Sequence, residues 1–346
     1  MTARTAPMAL LTVPEAAPRP DDGPQSGFRR VAQAVRDAEQ AGVDAVLLED
    51  DQAIGGGVPA RGFEASTLAA ALAVTTSRIG LVVTISTEHL APYHVARRLA
   101  SIDYLSGGRA GWLADSPEGE PQAANYHRPP GKPAADDVTV QRARAAEFAD
   151  VLAGLWDSFS DDAFLRDRES GVYFRTERLR QLDHKGEHFD VAGPLNIGRP
   201  PQGCPVLVRR LSGPADVTFA GTRADVAIVA GGDSADLSQI RTQLRLAAGT
   251  AGRPEGAVLL LLDVVAGSGP GADADRLREL FDAGLVDGFV LRGASAGQGC
   301  PVHAAGADDQ VHALVDTLRP HQAAPVRSGS TLRDRLGLPR PPGRWT

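Results

Sequence analysis

Apolar residues along this chain fall into two alternating patterns. One is a set of short, nearly continuous apolar runs rich in Val, Ile and Leu, as expected of strands covered on both faces. Arg78–Ser86 (RIGLVVTIS) shows it best. Runs of the same kind predict strands at Met8–Val13, Val43–Leu48, Arg109–Ala114, Pro205–Arg210, Ala224–Ala230, Gly256–Ala266 and Asp287–Arg292. Between them, apolar positions recur at helical spacing. Val31, Val35 and Ala38 share a face of a helix over Phe28–Gln40, and Val95, Leu99 and Ile102 share one over Pro92–Leu105. Ala145, Phe148, Leu152 and Leu155 do the same in Val138–Phe159. Further helices are predicted at Glu64–Thr75, around Asp216–Gly221, and at Leu237–Ala248, Asp273–Ala283 and Ala307–Leu318. Pro92 suits a first helical position, where its missing N–H has no partner to lose. Gly107 and Gly108 end that helix, because glycine enters the left-handed conformation at little cost.

Eight strands, each followed by a helix, in 346 residues predict a single (β/α)₈ TIM barrel spanning 1–346, with its chemistry on the loops after strand C-termini. A doubly wound open sheet is the alternative, but no GxGxxG follows the first strand. The alternation breaks after the fourth βα unit. Residues 160–203 are polar and far longer than an ordinary connection, which predicts an excursion near the barrel mouth containing a local strand or hairpin. The end of the chain, 319–346, is rich in Pro and Arg and is expected to wrap the surface.

A net charge of −7 argues against a nucleic-acid partner. Cys204 and Cys300 are far apart and make no disulfide framework, which suits a reducing compartment. Met8–Val13 is too short for a signal segment or a membrane span, so a cytoplasmic protein without membrane attachment is expected. His184 and His188 lie four apart, but HKGEH contains Gly186 and lacks the HExxH order, so no metal site is expected. His89 and His94 flank Pro92 after the third strand and are candidates to touch a bound substrate or cofactor at the mouth. Cys300, after the eighth strand, is either a mouth-lining thiol or an idle one. Gly55–Gly57 lack the lysine of a phosphate loop and read as a flexible loop.

The blocks RIGLVVTIST, PYHVARRLASIDYLSGGRAGW, EFADVLAGLWDSFSDDA, DHKGEHFDVAGPLN, PPQGCPVLV, LVDGFVL and TLRDRLGLPRP follow one another along the chain. In that order they resemble the nitrilotriacetate monooxygenase group of the bacterial luciferase-like flavin enzymes. That group includes dibenzothiophene sulfone monooxygenase and the pristinamycin synthase subunits. The resemblance implies a luciferase-like barrel holding FMN at its C-terminal mouth, with the flavin carrying the chemistry. It implies reduced flavin supplied by a separate NAD(P)H:flavin reductase, O₂ as co-substrate, oxygenation of a small or medium organic substrate, and a homodimer or homotetramer. The segment 183–196, with His184 and His188, corresponds to a block on the substrate side.

Position by position, the resemblance places Asp50, Thr84 and Ser86 near the flavin ring. The residue-level alternative is that Asp50 caps a loop and the hydroxyls satisfy strand ends. Elsewhere the chain departs from the family. Leu113 replaces an asparagine, and Gln141-Arg142 replaces an Arg-Tyr pair. Arg209 to Asp216 (RRLSGPAD) replaces a Gln-Ala-Gly-x-Ser-x-x-Gly turn whose amides cradle phosphate. A carboxylate about 4 Å from a phosphate charge costs about 4 kcal/mol at an effective dielectric near 20, enough to weaken binding about a thousandfold. Arg142, Arg209 and Arg210 are candidate replacement grips, with Ser212 and Gly213 in the turn, because guanidinium binds phosphate bidentately. Two outcomes stay open: an FMN-dependent monooxygenase with a rebuilt phosphate grip, or a flavin-free paralogue serving as an accessory protein or in other chemistry.

Overall fold

The computed structural model describes residues 8–14, 24–50, 63–115, 125, 138–266, 270–293, 307–319 and 330–344. Barrel strands and helices alternate as β1 (Ala9–Thr12), α1 (Pro24–Gln40), β2 (Ala45–Leu48), α2 (Ala65–Ala73), β3 (Gly80–Ser86), α3 (Pro92–Ser106), β4 (Ala110–Asp115) and α4 (Val138–Trp156). A two-stranded hairpin, β5 (His184–Lys185) and β6 (Asp190–Val191), follows. The alternation resumes with β7 (Val206–Leu211), α5 (Pro214–Arg223), β8 (Val226–Val229), α6 (Ser234–Thr250), β9 (Leu259–Val265), α7 (Pro270–Asp282), β10 (Gly288–Arg292) and α8 (Ala307–Leu318). A short α9 (Leu332–Arg335) lies near the end. The sheet closes in the order β1-β10-β9-β8-β7-β4-β3-β2, with every barrel pairing parallel. The predicted TIM barrel is the observed one.

Alternation along each strand splits the core into two layers. Leu10, Val46, Leu48, Leu81, Val83, Ile85 and Trp112 pack with the helices. Ala9, Leu11, Ala45, Leu47, Val82, Leu113, Val206, Val208, Val226, Ile228, Leu261 and Val290 fill the lumen. Pro92 begins α3, and Gly107 ends it at φ 68°, as the sequence predicts.

The excursion between α4 and β7 carries the expected hairpin and a small aromatic cluster, with Phe159 against Phe164 and Phe174. Glu147 of α4 docks the hairpin by accepting from the backbone N–H groups of His188 and Phe189, each at 2.9 Å.

The tail departs from expectation. In its described part, Leu332, Leu336 and Leu338 leave the surface and join the lumen cluster. Their spacing brings one face of a single helical turn, and the residue just beyond it, into the barrel. A Cβ at Gly80 would lie 2.7 Å from Leu332 and 2.8 Å from the Cβ of Ala45, so only glycine leaves room for that plug. Arg333 is buried and grips Asp225 through two nitrogens at 2.8 and 2.7 Å. Its backbone N–H donates to Gln202 Oε1, and the Gln202 side-chain amide donates to Asp103 at 2.6 Å. Farther on, Arg340 pairs with both oxygens of Asp161 at 2.7 Å, and those hydrogen bonds hold the Asp161 carboxyl down at about 2. Composition hides this plug because three leucines sit among many prolines and arginines.

Asp103 is fully buried on α3 and accepts from three N–H donors: Ala110 N, Gln202 N and Gln202 Nε2. Burial pushes its pKa up to about 6, against the pull of those donors. Two variants test the base. Arg333→Ala strands Asp225 without its main cation and should cost about 3–5 kcal/mol. Asp103→Asn turns an amide N–H toward an existing donor and should cost about 1–3 kcal/mol. Urea unfolding at neutral pH reads both, and a change near zero for either removes the base plug from this account.

Candidate functional site

In a parallel barrel, functional side chains belong on lumen-facing positions at strand C-terminal ends. The alternation that places Leu47, Val208, Leu261 and Val290 in the lumen also directs Glu49, Arg210, Asp263 and Arg292 there, two residues further toward the mouth. These four come from the ends of β2, β7, β9 and β10 and form one ion-pair quartet. Arg210 reaches Glu49 at 2.5 Å and Asp263 at 3.1 Å. Arg292 reaches the same Glu49 oxygen at 2.9 Å and Asp263 at 2.8 Å. β2 and β7 are separated by two strands one way round the sheet and by four the other, so the quartet spans the opening. Burial works against the Arg292 charge, but its hydrogen bonds to Glu49 and Asp263 raise its pKa above the usual arginine value.

Thr84 and Ser86 face the lumen on β3, next to the β2 strand whose end carries Glu49, and both are buried. Leu113 lies beside Thr84 in the β3–β4 register and belongs to the apolar lumen layer. Ser86 Oγ has no hydrogen-bond partner among the described residues. It is an unclaimed donor and acceptor at the mouth. Asp50 accepts from the N–H of Ala65 at 3.2 Å, where it helps hold the start of α2.

Arg209 and Arg210 point to opposite sides of β7, as strand geometry requires. Arg210 joins the quartet, whereas Arg209 turns outward to the first turn of α5. There Nε and Nη2 bind one oxygen of Asp216 at 3.1 and 2.7 Å, and Nη1 donates to Ala114 O at 2.9 Å. The other Asp216 oxygen accepts from the N–H of Ser212 at 3.1 Å and lies 3.8 Å from Arg142. Arg142, Arg209 and Ser212 therefore do converge, on a carboxylate of the chain itself. Gly213, next to Ser212, precedes Pro214, the first residue of α5.

The histidines separate into two groups. His89 and His94 line a cavity of about 680 Å³ on the outer flank between α2 and α3, with Ser66, Thr67, Arg97 and Arg98. That cavity is not the lumen. His184 Nε2 lies 2.9 Å from Glu147, while His188 Nε2 is buried with no hydrogen-bond partner among the described residues. Burial opposes the charge of Glu147, but hydrogen bonds from His184, His188 and Phe189 hold its pKa below the usual range. Among the described residues there is no cluster of three metal-ligating side chains. Cys300 and the Gly55–Gly57 loop lie outside the described residues.

The sequence pattern alone does not single out Glu49, Asp263 and Arg292. The available signal is charge at lumen parity, two residues past an apolar lumen position on three separate strands.

Two features of this geometry bear on how an anionic flavin nucleotide would be held. At the strand ends, Glu49, Arg210, Asp263 and Arg292 pair with one another across the lumen. In the phosphate turn, the amide and guanidinium donors already serve Asp216. A phosphate brought to about 4 Å from that carboxylate would meet a repulsion of about 4 kcal/mol per unit charge at an effective dielectric near 20.

Luciferase-like monooxygenases as a family match the chain over residues 8–328. The B component of pristinamycin IIA synthase of Streptomyces pristinaespiralis is 39% identical over 324 residues, 93% of this chain and 93% of that protein. Nitrilotriacetate monooxygenase component A of Aminobacter aminovorans is 39% identical over 214 residues, 58% of this chain and 46% of that protein. The matched stretch thus spans less than half the length of that second relative. Among solved structures, EDTA monooxygenase from Chelativorans sp. BNC1 shares the fold with a TM-score of 0.78 at 24% identity, covering 96% of this chain and 99% of that one. No described helix is long and apolar enough to cross a membrane. The chain belongs to the luciferase-like monooxygenase family, the group of flavin-dependent oxidoreductases to which these relatives belong.

Proposed function

We propose that this chain is the flavin-free component of a flavin-dependent, luciferase-like monooxygenase, working beside a homologous chain whose open barrel holds the flavin. The quartet of Glu49, Arg210, Asp263 and Arg292 carries the reading. It pairs charges from four strand ends across the lumen, at the end of the barrel where this fold carries its chemistry. Support comes from the pristinamycin IIA synthase relative, itself one of that enzyme's subunits, which matches along nearly its whole length. In such an enzyme the flavin-holding chain receives reduced flavin from a reductase and uses O₂ on a small or medium organic substrate. This chain supplies a packed barrel. An expected homo-oligomer becomes a hetero-oligomer in this reading.

A second reading has one observation in its favour. Ser86 Oγ is buried at the mouth without a hydrogen-bond partner among the described residues, as a ring-edge contact awaiting a ligand would be. There the quartet opens and this barrel takes FMN itself, with Thr84, Ser86 and Arg210 around it.

Anaerobic titration with oxidised and reduced FMN, followed by fluorescence and absorbance, separates the two. The first reading predicts no saturable binding up to hundreds of micromolar, weaker than about −5 kcal/mol. Micromolar binding that Ser86→Ala and Arg210→Ala weaken would establish the second. The quartet itself has a stability signature. Glu49→Gln keeps an acceptor oxygen but removes the negative charge that two guanidinium groups share, and should cost about 1–3 kcal/mol. Combined with Arg210→Ala, the changes should miss additivity by about 0.5 kcal/mol or more. Additive losses by urea unfolding would mean the four charges do not act together.

A further inference from the structure

Asp216 sits at the third position of α5, in the first turn, with its carboxylate over the helix N-terminus. An anion there is favoured by the helix dipole, yet surface caps of this kind use one or two backbone N–H groups. This one is built differently. Asp216 and Arg209 are both buried, at 2% and 6% exposure. Arg209 is backed by Phe219, whose ring centre lies 5.1 Å from the guanidinium carbon, and by Ala114 O. Two guanidinium donors, the Ser212 N–H and the nearby Arg142 surround the two carboxylate oxygens. Such donors are those a phosphate monoester takes: charged forks on one side and a backbone N–H on the other. Ser212, at the open side, is exposed.

We propose that Asp216 is the built-in occupant of an anion cradle formed by Arg209, Arg142 and the Ser212 N–H, and that it is the residue excluding phosphate, including the phosphate of a flavin nucleotide. This deepens the flavin-free reading and rests on it where flavin is concerned, but the cradle is tested with inorganic phosphate alone. Removing the carboxylate leaves Arg209 buried without its anion, and phosphate from solution takes the vacated place.

Thermal unfolding of the full chain in sodium phosphate and in sodium chloride of equal ionic strength tests this. The native protein should melt at the same temperature in both. Asp216→Gly should melt lower than the native protein in chloride and recover by about 2 °C at phosphate ten times its Kd, given the entropy of unfolding a chain of this size. Arg209→Gln in the same chain should abolish the recovery. If Asp216→Gly yields no folded protein in chloride, the less disruptive Asp216→Ser takes its place in the same comparison. A phosphate response as large in the native protein, or none in either variant, would overturn the proposal. Adding FMN to the responding variant separates the two levels. A phosphate response without flavin binding agrees with both. Micromolar flavin binding would leave the cradle standing and refute the flavin-free reading.

Discussion

Strict alternation of side chains between lumen and helix layer is the constraint on which the rest of this molecule depends. It puts Leu47, Leu113, Val208, Leu261 and Val290 in one apolar plug and seats Leu332, Leu336 and Leu338 beneath it. By the same parity the charged residues at the strand ends have nowhere to go but the mouth. Four charges from four strands then face one another over an apolar layer. Burial of an unpaired charge there would be costly, so they pair across the opening. The ion pairs across the lumen follow from parity together with the choice of Arg at 210 and 292.

The two sides of β7 show how one dipeptide serves both ends of this account. Arg210 enters the lumen and Arg209 leaves it, because consecutive residues of a strand cannot share a face. A single grip on phosphate from both arginines is therefore ruled out by strand geometry. Each is instead matched to a carboxylate of the chain: Arg210 to Glu49 and Asp263, and Arg209 to Asp216. Both arginines of the dipeptide are thus neutralised from within the chain.

Much of the barrel was legible in the sequence, because β-branched runs such as Ile79–Ile85 and helical faces such as Val95, Leu99 and Ile102 carry strong periodic signals. The tail was not, since Leu332, Leu336 and Leu338 occupy too short a stretch to show a period and sit among prolines and arginines. Of the site, the outward and inward split of Arg209 and Arg210 was legible from strand geometry. Which carboxylates they would meet was not. Glu49, Asp263 and Arg292 are separated by many residues along the chain and meet only through barrel closure, while the Arg209–Asp216 pair depends on where the first turn of α5 points. His89 and His94 looked near the mouth because they flank Pro92, but the turn entering α3 carries them to the flank with Arg97 and Arg98.

A crystal structure of the chain soaked anaerobically with reduced FMN tests the central claim most directly. The account predicts an intact Glu49–Arg210–Asp263–Arg292 quartet, the Asp216 carboxylate still on Arg209 and the Ser212 N–H, and no flavin density in the lumen. Ring density against Thr84 and Ser86, with the quartet parted and a phosphate in place of the Asp216 carboxylate, would contradict it.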